Sequence, residues 1–367
     1  MTSTWARARA RERVAALGAA GLDDRELRRQ VLAALGEVID FDAYVWLLTD
    51  PLTMVGTAPL AEVPCIGELP ALVKAKYATP VNRWTVLARQ ASRARLLTEA
   101  VSGDLASSRV WREVMSRYGI GDVASAVFAD QYGCWGFLDL WRVSARGPFD
   151  AADAELLASL AAPLATALRQ CQARTFARPA GVQRHDAGPV VLTLDEDLLI
   201  ISRTAASRAW LDVLLPPEPA QRAVPASVYN VAAQLLAAEE GIDDHPAFAR
   251  IHLAEGFWLT IRAARLAADE ATAHAGGAGI VVTIEETSAA DRRDVFSRAF
   301  GLTPRENELL ALLAAGSDTR AMARQLALSE LTVQDHLKSI FAKTGARDRV
   351  TLLSRALGSR ADGKARW

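Results

Sequence analysis

Three polar residues near the carboxyl end have the types and spacing to read a nucleic-acid base edge. Gln334, Asp335 and Lys338 fall opposite an apolar stripe of Val333, Leu337 and Ile340. On a helix of 3.6 residues per turn the stripe is buried and the three polar residues face outward. In a major groove a lysine donates to guanine, a glutamine makes a paired contact with adenine, and an aspartate accepts from cytosine. Thr332, Arg320, Arg324 and Lys343 lie around them and suit phosphates, which fix register rather than sequence. His336 suits packing and hydrogen bonding better than base reading. The plainer alternative for each is a solvated helix face.

Local signals define the helices that would hold these residues. Thr303 is a cap, Pro304 tolerates the first helical position, and Glu306 stands three after Thr303 as a capping box requires. Leu309, Leu310, Leu312 and Leu313 give that helix an apolar face, and Gly316 ends it. A second helix over 319–326 packs through Met322, Ala323 and Leu326. Ala327 and Leu328 make the turn, Ser329 caps the third helix, and Gly345 stops it. Asp348 opens a fourth helix carrying Val350, Leu352, Leu353 and Leu357.

Two helices joined by a tight turn, the second with a polar face, follow helix-turn-helix logic. The segment 302–357 resembles the LuxR-type helix-turn-helix of bacterial transcription regulators. Its hallmarks here are Leu302-Thr303-Pro304-Arg305-Glu306, Gly316, Ala323, Leu326, Ser329, Thr332-Val333, His336, Ile340, Lys343, Gly345 and Arg347. The resemblance implies double-stranded promoter DNA as partner, with base contacts from the outer face of the third helix. Two departures bear on affinity. Gln334 stands where the family usually has a basic residue, and Asp335 adds a charge that DNA repels. Homodimer binding to two half-sites, about one helical turn apart, would compensate.

The whole chain is not a polycation: 367 residues carry a formal charge of −1. From Leu302 onward, eleven Lys and Arg face seven Asp and Glu, so a basic module follows a mildly acidic body. Three distant cysteines, Cys65, Cys134 and Cys171, argue against a disulfide framework and suit a reducing cytoplasm. No signal peptide is evident, and no apolar run approaches the ~20 residues of a membrane span. The expected location is cytoplasmic, without membrane contact.

Upstream, Leu27, Val31, Leu35 and Val38 have helical spacing, and strand-like runs follow at 43–48, 123–129 and 134–141. A helix is expected over 107–118, with Val110, Trp111, Val114 and Met115 on one face. Another is expected over 151–170, with Leu157, Leu160, Leu164, Ala167 and Cys171 as its seam. That seam either packs on its own sheet or pairs with a second copy as a short coiled coil. The run Trp135-Gly-Phe-Leu-Asp-Leu-Trp141, with Pro148-Phe-Asp before the last helix, is similar to the GAF-like heads of actinobacterial regulators. The block 190–286 resembles a PAS domain. Strands are expected at 190–194, 198–202, 248–253, 257–264 and 279–284, and helices at 205–214 and 228–239. No internal repeat is visible, and the patch 271–279 reads as a hairpin loop.

The expected fold class is therefore α+β: two mixed sheet/helix sensor domains, GAF-like and PAS-like, followed by an all-α four-helix LuxR-type helix-turn-helix domain. The expected boundaries are an N-terminal tail or helix at 1–20, the GAF-like domain at 21–176, a linker at 177–188, the PAS-like domain at 189–287, a second linker at 288–299 and the helix-turn-helix at 300–360.

Five tryptophans, Trp46, Trp84, Trp111, Trp135 and Trp141, lie in the GAF-like block and are candidates to line a ligand pocket; filling the core is the plainer use. Trp210 and Trp258 pose the same question in the next block. No histidine precedes His185, so the GAF-like block cannot supply a histidine-ligated haem or metal. His245, His252 and His274 stand isolated, without zinc-site spacing, and His252 is a haem-ligand candidate. No phosphate loop, nucleophile elbow or Cys/His dyad is present. No catalytic residue, cofactor or metal is expected. The expected function is a DNA-binding transcription regulator, not an enzyme, whose sensor region responds to an unknown small-molecule effector or partner. The alternative is a GAF-fold redox enzyme or sensor using Cys134 with Cys65 or Cys171, the helical module then serving protein contacts.

Overall fold

Ten strands form two five-stranded sheets among the described residues. The computed structural model describes residues 4–177, 190–205, 207, 225–253, 257–266 and 279–358. Most of the linker expected at 177–188, most of the helix expected at 205–214, most of the loop at 271–279, and His185, Trp210 and His274 lie outside the described residues.

The first sheet contains β1 (Ala43–Thr49), β2 (Gly56–Glu62), β3 (Ala94–Leu96), β4 (Ile120–Asp130) and β5 (Gly133–Val143), in the order β2-β1-β5-β4-β3. It is antiparallel throughout. The expected strands are its three central ones, β1, β4 and β5. The two the sequence did not signal, β2 and β3, are edges: β2 carries Pro59, which an edge tolerates, and β3 has only three residues. The second sheet contains β6 (Val190–Leu194), β7 (Ile200–Arg203), β8 (Phe248–His252), β9 (Trp258–Arg265) and β10 (Ile280–Glu286), in the order β7-β6-β10-β9-β8. All five follow the expected positions. Each sheet places its last strand between its first and fourth. The topology thus repeats although the sequence shows no repeat.

Helices α1 (Thr4–Ala19), α2 (Asp24–Gly36), α3 (Leu69–Tyr77), α4 (Trp84–Leu87), α5 (Leu97–Ala100), α6 (Arg109–Glu113), α7 (Ala151–Thr175) and α8 (Ala226–Glu239) accompany the sheets. The single helix expected over 107–118 is broken. Val114 leaves helical geometry after α6, and a 3₁₀ turn, Met115–Tyr118, follows. Val110, Val114 and Met115 are nonetheless all buried. Helix α7 runs five residues beyond its expected end. By length and composition it could cross a membrane, which corrects the expectation that no such run exists. Its Leu157, Leu160, Leu164 and Ala167 are nevertheless buried within the chain, so that seam is not open to a coiled coil with a second copy.

The described residues of Met1–Leu168, His185–Ile251 and Leu259–Glu285 make one compact unit holding both sheets. Two buried ion pairs join the blocks inside it. Arg83 meets Asp243 at 2.6 Å and Asp50 meets Arg250 at 2.7 Å, all four side chains almost without solvent exposure. Helix α8 packs on α3 and β2. Residues expected in two separate sensor domains therefore share a core.

The described residues of Arg169–Arg184, His252–Trp258 and Glu286–Trp367 make the second unit. Residues 288–299, expected as a linker, form helix α9 (Ala289–Ala299), capped by Ser288 and burying Val295, Phe296 and Ala299. The polar surface of this segment masked that apolar stripe. Phe176 stacks on Trp258 at 5.0 Å, meets Phe296 edge-on at 5.3 Å, and lies 5.0 Å from the Arg292 guanidinium. Four more helices follow: α10 (Pro304–Ala314), α11 (Thr319–Gln325), α12 (Glu330–Thr344) and α13 (Arg349–Leu357). Leu309, Leu310, Leu313, Met322, Val333, Leu337, Ile340 and Leu352 form their core.

Candidate nucleic-acid interface

Caps fix the geometry of the terminal helices. Thr303 Oγ1 accepts from the Glu306 amide at 3.2 Å, and Glu306 Oε2 accepts from the Thr303 amide at 2.7 Å, completing the capping box. Asp318 caps α11 by accepting from the Ala321 amide at 2.7 Å. Ser329 Oγ accepts from the Thr332 amide at 3.1 Å and starts α12. Gly316 and Gly345 take φ of +84° and +64°, the left-handed region that glycine enters without strain.

Helix α12 buries Val333, Leu337 and Ile340 and leaves Gln334, Asp335 and Lys338 exposed. Lys338 Nζ lies 3.1 Å from Asp335 Oδ1, with both side chains more than half exposed. The lysine charge is thus locally balanced, and that exposed pair is weak enough to be exchanged for a base contact. Arg320 and Arg324 are exposed on α11. Thr332 is half-buried, its hydroxyl 2.8 Å from Ser329 Oγ at the helix start. His336 is half-buried.

Lys343 departs from its expected place at a phosphate. Its ammonium lies 2.6 Å from Glu306 Oε2 and 3.2 Å from the Gly301 carbonyl, pinning α12 to the start of α10. Ser339 donates to the other Glu306 oxygen at 2.6 Å. Burial pushes the Glu306 pKa up, but Lys343, Ser339 and the Thr303 amide outweigh it and bring the value down to about 2. The carboxylate therefore remains charged and locks two helices together.

One exposed residue escaped sequence reasoning. Leu331 is 66% exposed in the first turn of α12. It stands three, four and seven residues before Gln334, Asp335 and Lys338, so it leads their stripe. The available signal was a leucine lying outside the buried 333/337/340 pattern.

Residues 301–356 match a family described as bacterial regulatory proteins, luxR family. The carboxyl-terminal module is a LuxR-type helix-turn-helix. A probable HTH-type transcriptional regulator, GfsR, of Streptomyces halstedii is 38% identical over 71 residues, 19% of this chain and 29% of that protein. A monoamine regulon transcriptional regulator of Klebsiella aerogenes is 43% identical over 54 residues, 15% of this chain and 24% of that protein. The chain therefore spans under a third of the length of either relative. The crystal structure of Escherichia coli SdiA is 13% identical and covers 92% of both chains, with a TM-score of 0.31.

The candidate pocket tryptophans do not converge. Trp46 is fully buried, tilted against Phe128 at 5.2 Å. Trp84 stacks on Phe137 at 4.5 Å and donates to the Met54 carbonyl. Trp111 donates to the Ile120 carbonyl and Trp135 to Asp130 Oδ1. Of the five, Trp141 lines a cavity on the first sheet. Trp258 and its neighbour His252 face each other at 5.4 Å in the second unit. His245 is not isolated as expected. It adjoins Asp243 and Asp244, but Asp243 already accepts from Arg83, Thr85 and the His245 amide.

All three cysteines are buried, and none is in a disulfide. Burial pushes the Cys134 thiol up to about 11, against weaker opposing hydrogen bonds with Thr49 and the Gly136 backbone. At neutral pH about one molecule in ten thousand would carry the thiolate, the reactive form. This opposes the redox alternative. Iodoacetamide at pH 7.5 is expected to label Cys134 in the native protein at least a hundredfold more slowly than in urea. Mass spectrometry of tryptic peptides measures both rates, and near-equal rates would reinstate a reactive thiol.

Proposed function

We propose that this chain is a transcription regulator that binds promoter DNA through α11 and α12 under control of a GAF-like and PAS-like sensing region. The observation that carries the reading is the capped α12, with its apolar side locked into the module and Leu331, Gln334, Asp335 and Lys338 exposed along one stripe. Lys338 and Gln334 read base edges, Leu331 offers apolar contact to a thymine methyl, and Arg320 and Arg324 hold phosphates. Few cations stand on this face, so a homodimer on two half-sites about 34–36 Å apart supplies the affinity. A bound effector acts only through unequal affinity for the DNA-competent and incompetent states.

The test is selection of a binding site from random duplexes, followed by titration at two salt concentrations. The Arg324→Ala, Lys338→Ala double variant is expected to bind the selected site about ten- to a hundredfold more weakly, with a shallower salt dependence. Leu331→Ala is expected to relax a thymine preference with little change in salt dependence. Unchanged affinity in the double variant would leave the helical module to protein contacts.

A further inference from the structure

One face of the first sheet lines a cavity. Strands β1 and β5 pair in register, with Val45 opposite Asp139 and Leu47 opposite Phe137. These four residues and Trp141 floor a cavity of about 210 Å³, walled by Leu72 and Val73 of α3 and by Asn230 of α8. At about 30 Å³ per water, the space equals roughly seven water molecules. Its lining is mainly apolar, yet five side chains with polar groups line it. The Tyr77 hydroxyl accepts from the Gly56 amide at 2.9 Å. Lys76 and Asp139 form an ion pair at 2.6 Å, their side chains 13% and 4% exposed. Asp139 also accepts from Ser125 at 2.7 Å.

The other two polar groups lack partners. The Trp141 indole N–H and the Asn230 amide oxygen are buried with no hydrogen bond. Each residue is 1% exposed. The Asn230 amide nitrogen is held, donating to the Gly56 carbonyl at 2.8 Å, so the free oxygen is fixed in place. A side chain at Gly56 would meet Leu47 at 2.7 Å and the Tyr77 hydroxyl at 3.3 Å, so glycine permits this close approach. A buried polar group without a partner costs about 1–3 kcal/mol. The two are of opposite sense, one donor and one acceptor, and the residues that carry them, Trp141 and Asn230, both line the same apolar space. Such a pattern is what an oriented small-molecule site requires.

We infer that this cavity binds a small, neutral, mostly apolar molecule bearing a hydrogen-bond acceptor for Trp141 and a donor for Asn230. Neutrality follows from the ion pair: Lys76 and Asp139 already satisfy each other, and a charged ligand would have to separate them. The inference rests on the sensing half of the proposed function and is independent of the DNA half.

Benzamide is a suitable probe, having an apolar ring with an acceptor and a donor on one group. The full chain, labelled at the tryptophan indole nitrogen and the methionine methyls, is titrated and followed by nuclear magnetic resonance. Trp141→Phe assigns the indole signal. Benzamide is expected to shift that signal saturably and to show contacts with the methyl of Met115, another lining residue. Ethylbenzene and benzoate are expected to bind at least tenfold more weakly, and Trp141→Phe to weaken benzamide at least fivefold. The Met115 contact is read in the unaltered protein, so it decides the matter even if the variant does not fold. Absence of saturation, absence of the Met115 contact, or equal binding of either control would overturn the inference. A DNA titration with saturating benzamide separates the readings. Unchanged DNA affinity would count against sensing alone, and loss of DNA binding in every condition would count against the regulator alone.

Discussion

Replacing Asp50 by asparagine is expected to destabilise the first unit by about 3–5 kcal/mol, the usual effect of removing one partner from a buried ion pair. For a unit of this size that is a fall in melting temperature on the order of 10 °C. The carboxylate is fully buried and accepts from Arg250 three times, at 2.7, 2.9 and 3.0 Å. The Leu52 and Thr53 amides add bonds at 2.9 and 3.1 Å. Asparagine keeps the shape but removes the charge facing Arg250 and turns one acceptor into a donor. Differential scanning calorimetry of the full chain measures the effect. The double variant Asp50→Asn, Arg250→Met is expected to recover part of the loss. Additive losses, or a single-variant change below about 1 kcal/mol, would show that the pair does not hold the unit together.

The same pair gives a sign for acid sensitivity. Burial alone would raise the Asp50 pKa, but the Arg250 charge and the surrounding donors outweigh it, and the folded value is lowered. A carboxylate with a lowered folded pKa stabilises fully above its ordinary range near 4 and progressively less as pH falls below it. Asp243 is lowered as well; there the His245 bonds, the Arg83 charge and the Thr85 bond outweigh burial. Both junctions between the blocks should therefore weaken together on acidification below about pH 4, while neutral pH leaves them intact.

Much of this was legible in the sequence where one local signal dominates. The terminal module announces itself through Thr303, Glu306, Ser329 and Gly345, each acting within its own helix. Strands β4 and β5 are legible because nearly every residue along them is buried, so apolar side chains run almost without a break. The sharing of a core was not legible, because Asp50 and Arg250 lie 200 positions apart and look like surface charges in isolation. The pocket reading failed for a simpler reason. Trp46 pairs with Leu138 on one face of the sheet, while Val45 and Leu47 point to the other, where Asp139 and Trp141 lie. Strand parity within β1 and β5 was available, and it separates Trp46 from Trp141. What parity could not give is Asn230, brought to that face by a helix almost a hundred residues downstream. Lys343 is a similar case: a lysine near a reading helix suits a phosphate until its ammonium is found on Glu306.

Replacing Glu306 by alanine is expected to loosen the DNA-binding module although Glu306 faces no groove. It removes the acceptor for the Thr303 amide, the Lys343 ammonium and the Ser339 hydroxyl at once. A lost cap is worth about 1 kcal/mol, and a hydrogen bond to a charged group about 1.5–3 kcal/mol. A net loss of about 3 kcal/mol corresponds to roughly a hundredfold fall in amide protection across α10 and α12. Hydrogen exchange by mass spectrometry of the full chain reads this segment by segment, and amides of the first unit serve as the unchanged reference. DNA affinity should fall only by the lost fraction of competent module, not by a change in sequence preference, because α12 keeps its exposed stripe. The pH dependence follows from the folded value near 2 against an ordinary 4.5. The stabilisation is complete above pH 4.5 and fades as pH falls toward 2. Protection of α12 in the unaltered protein should decline through that window, and the alanine variant should show no such decline. Equal protection of α12 in both proteins at pH 7 would mean that the apolar core alone positions the reading helix, and that the Lys343–Glu306 contact is incidental.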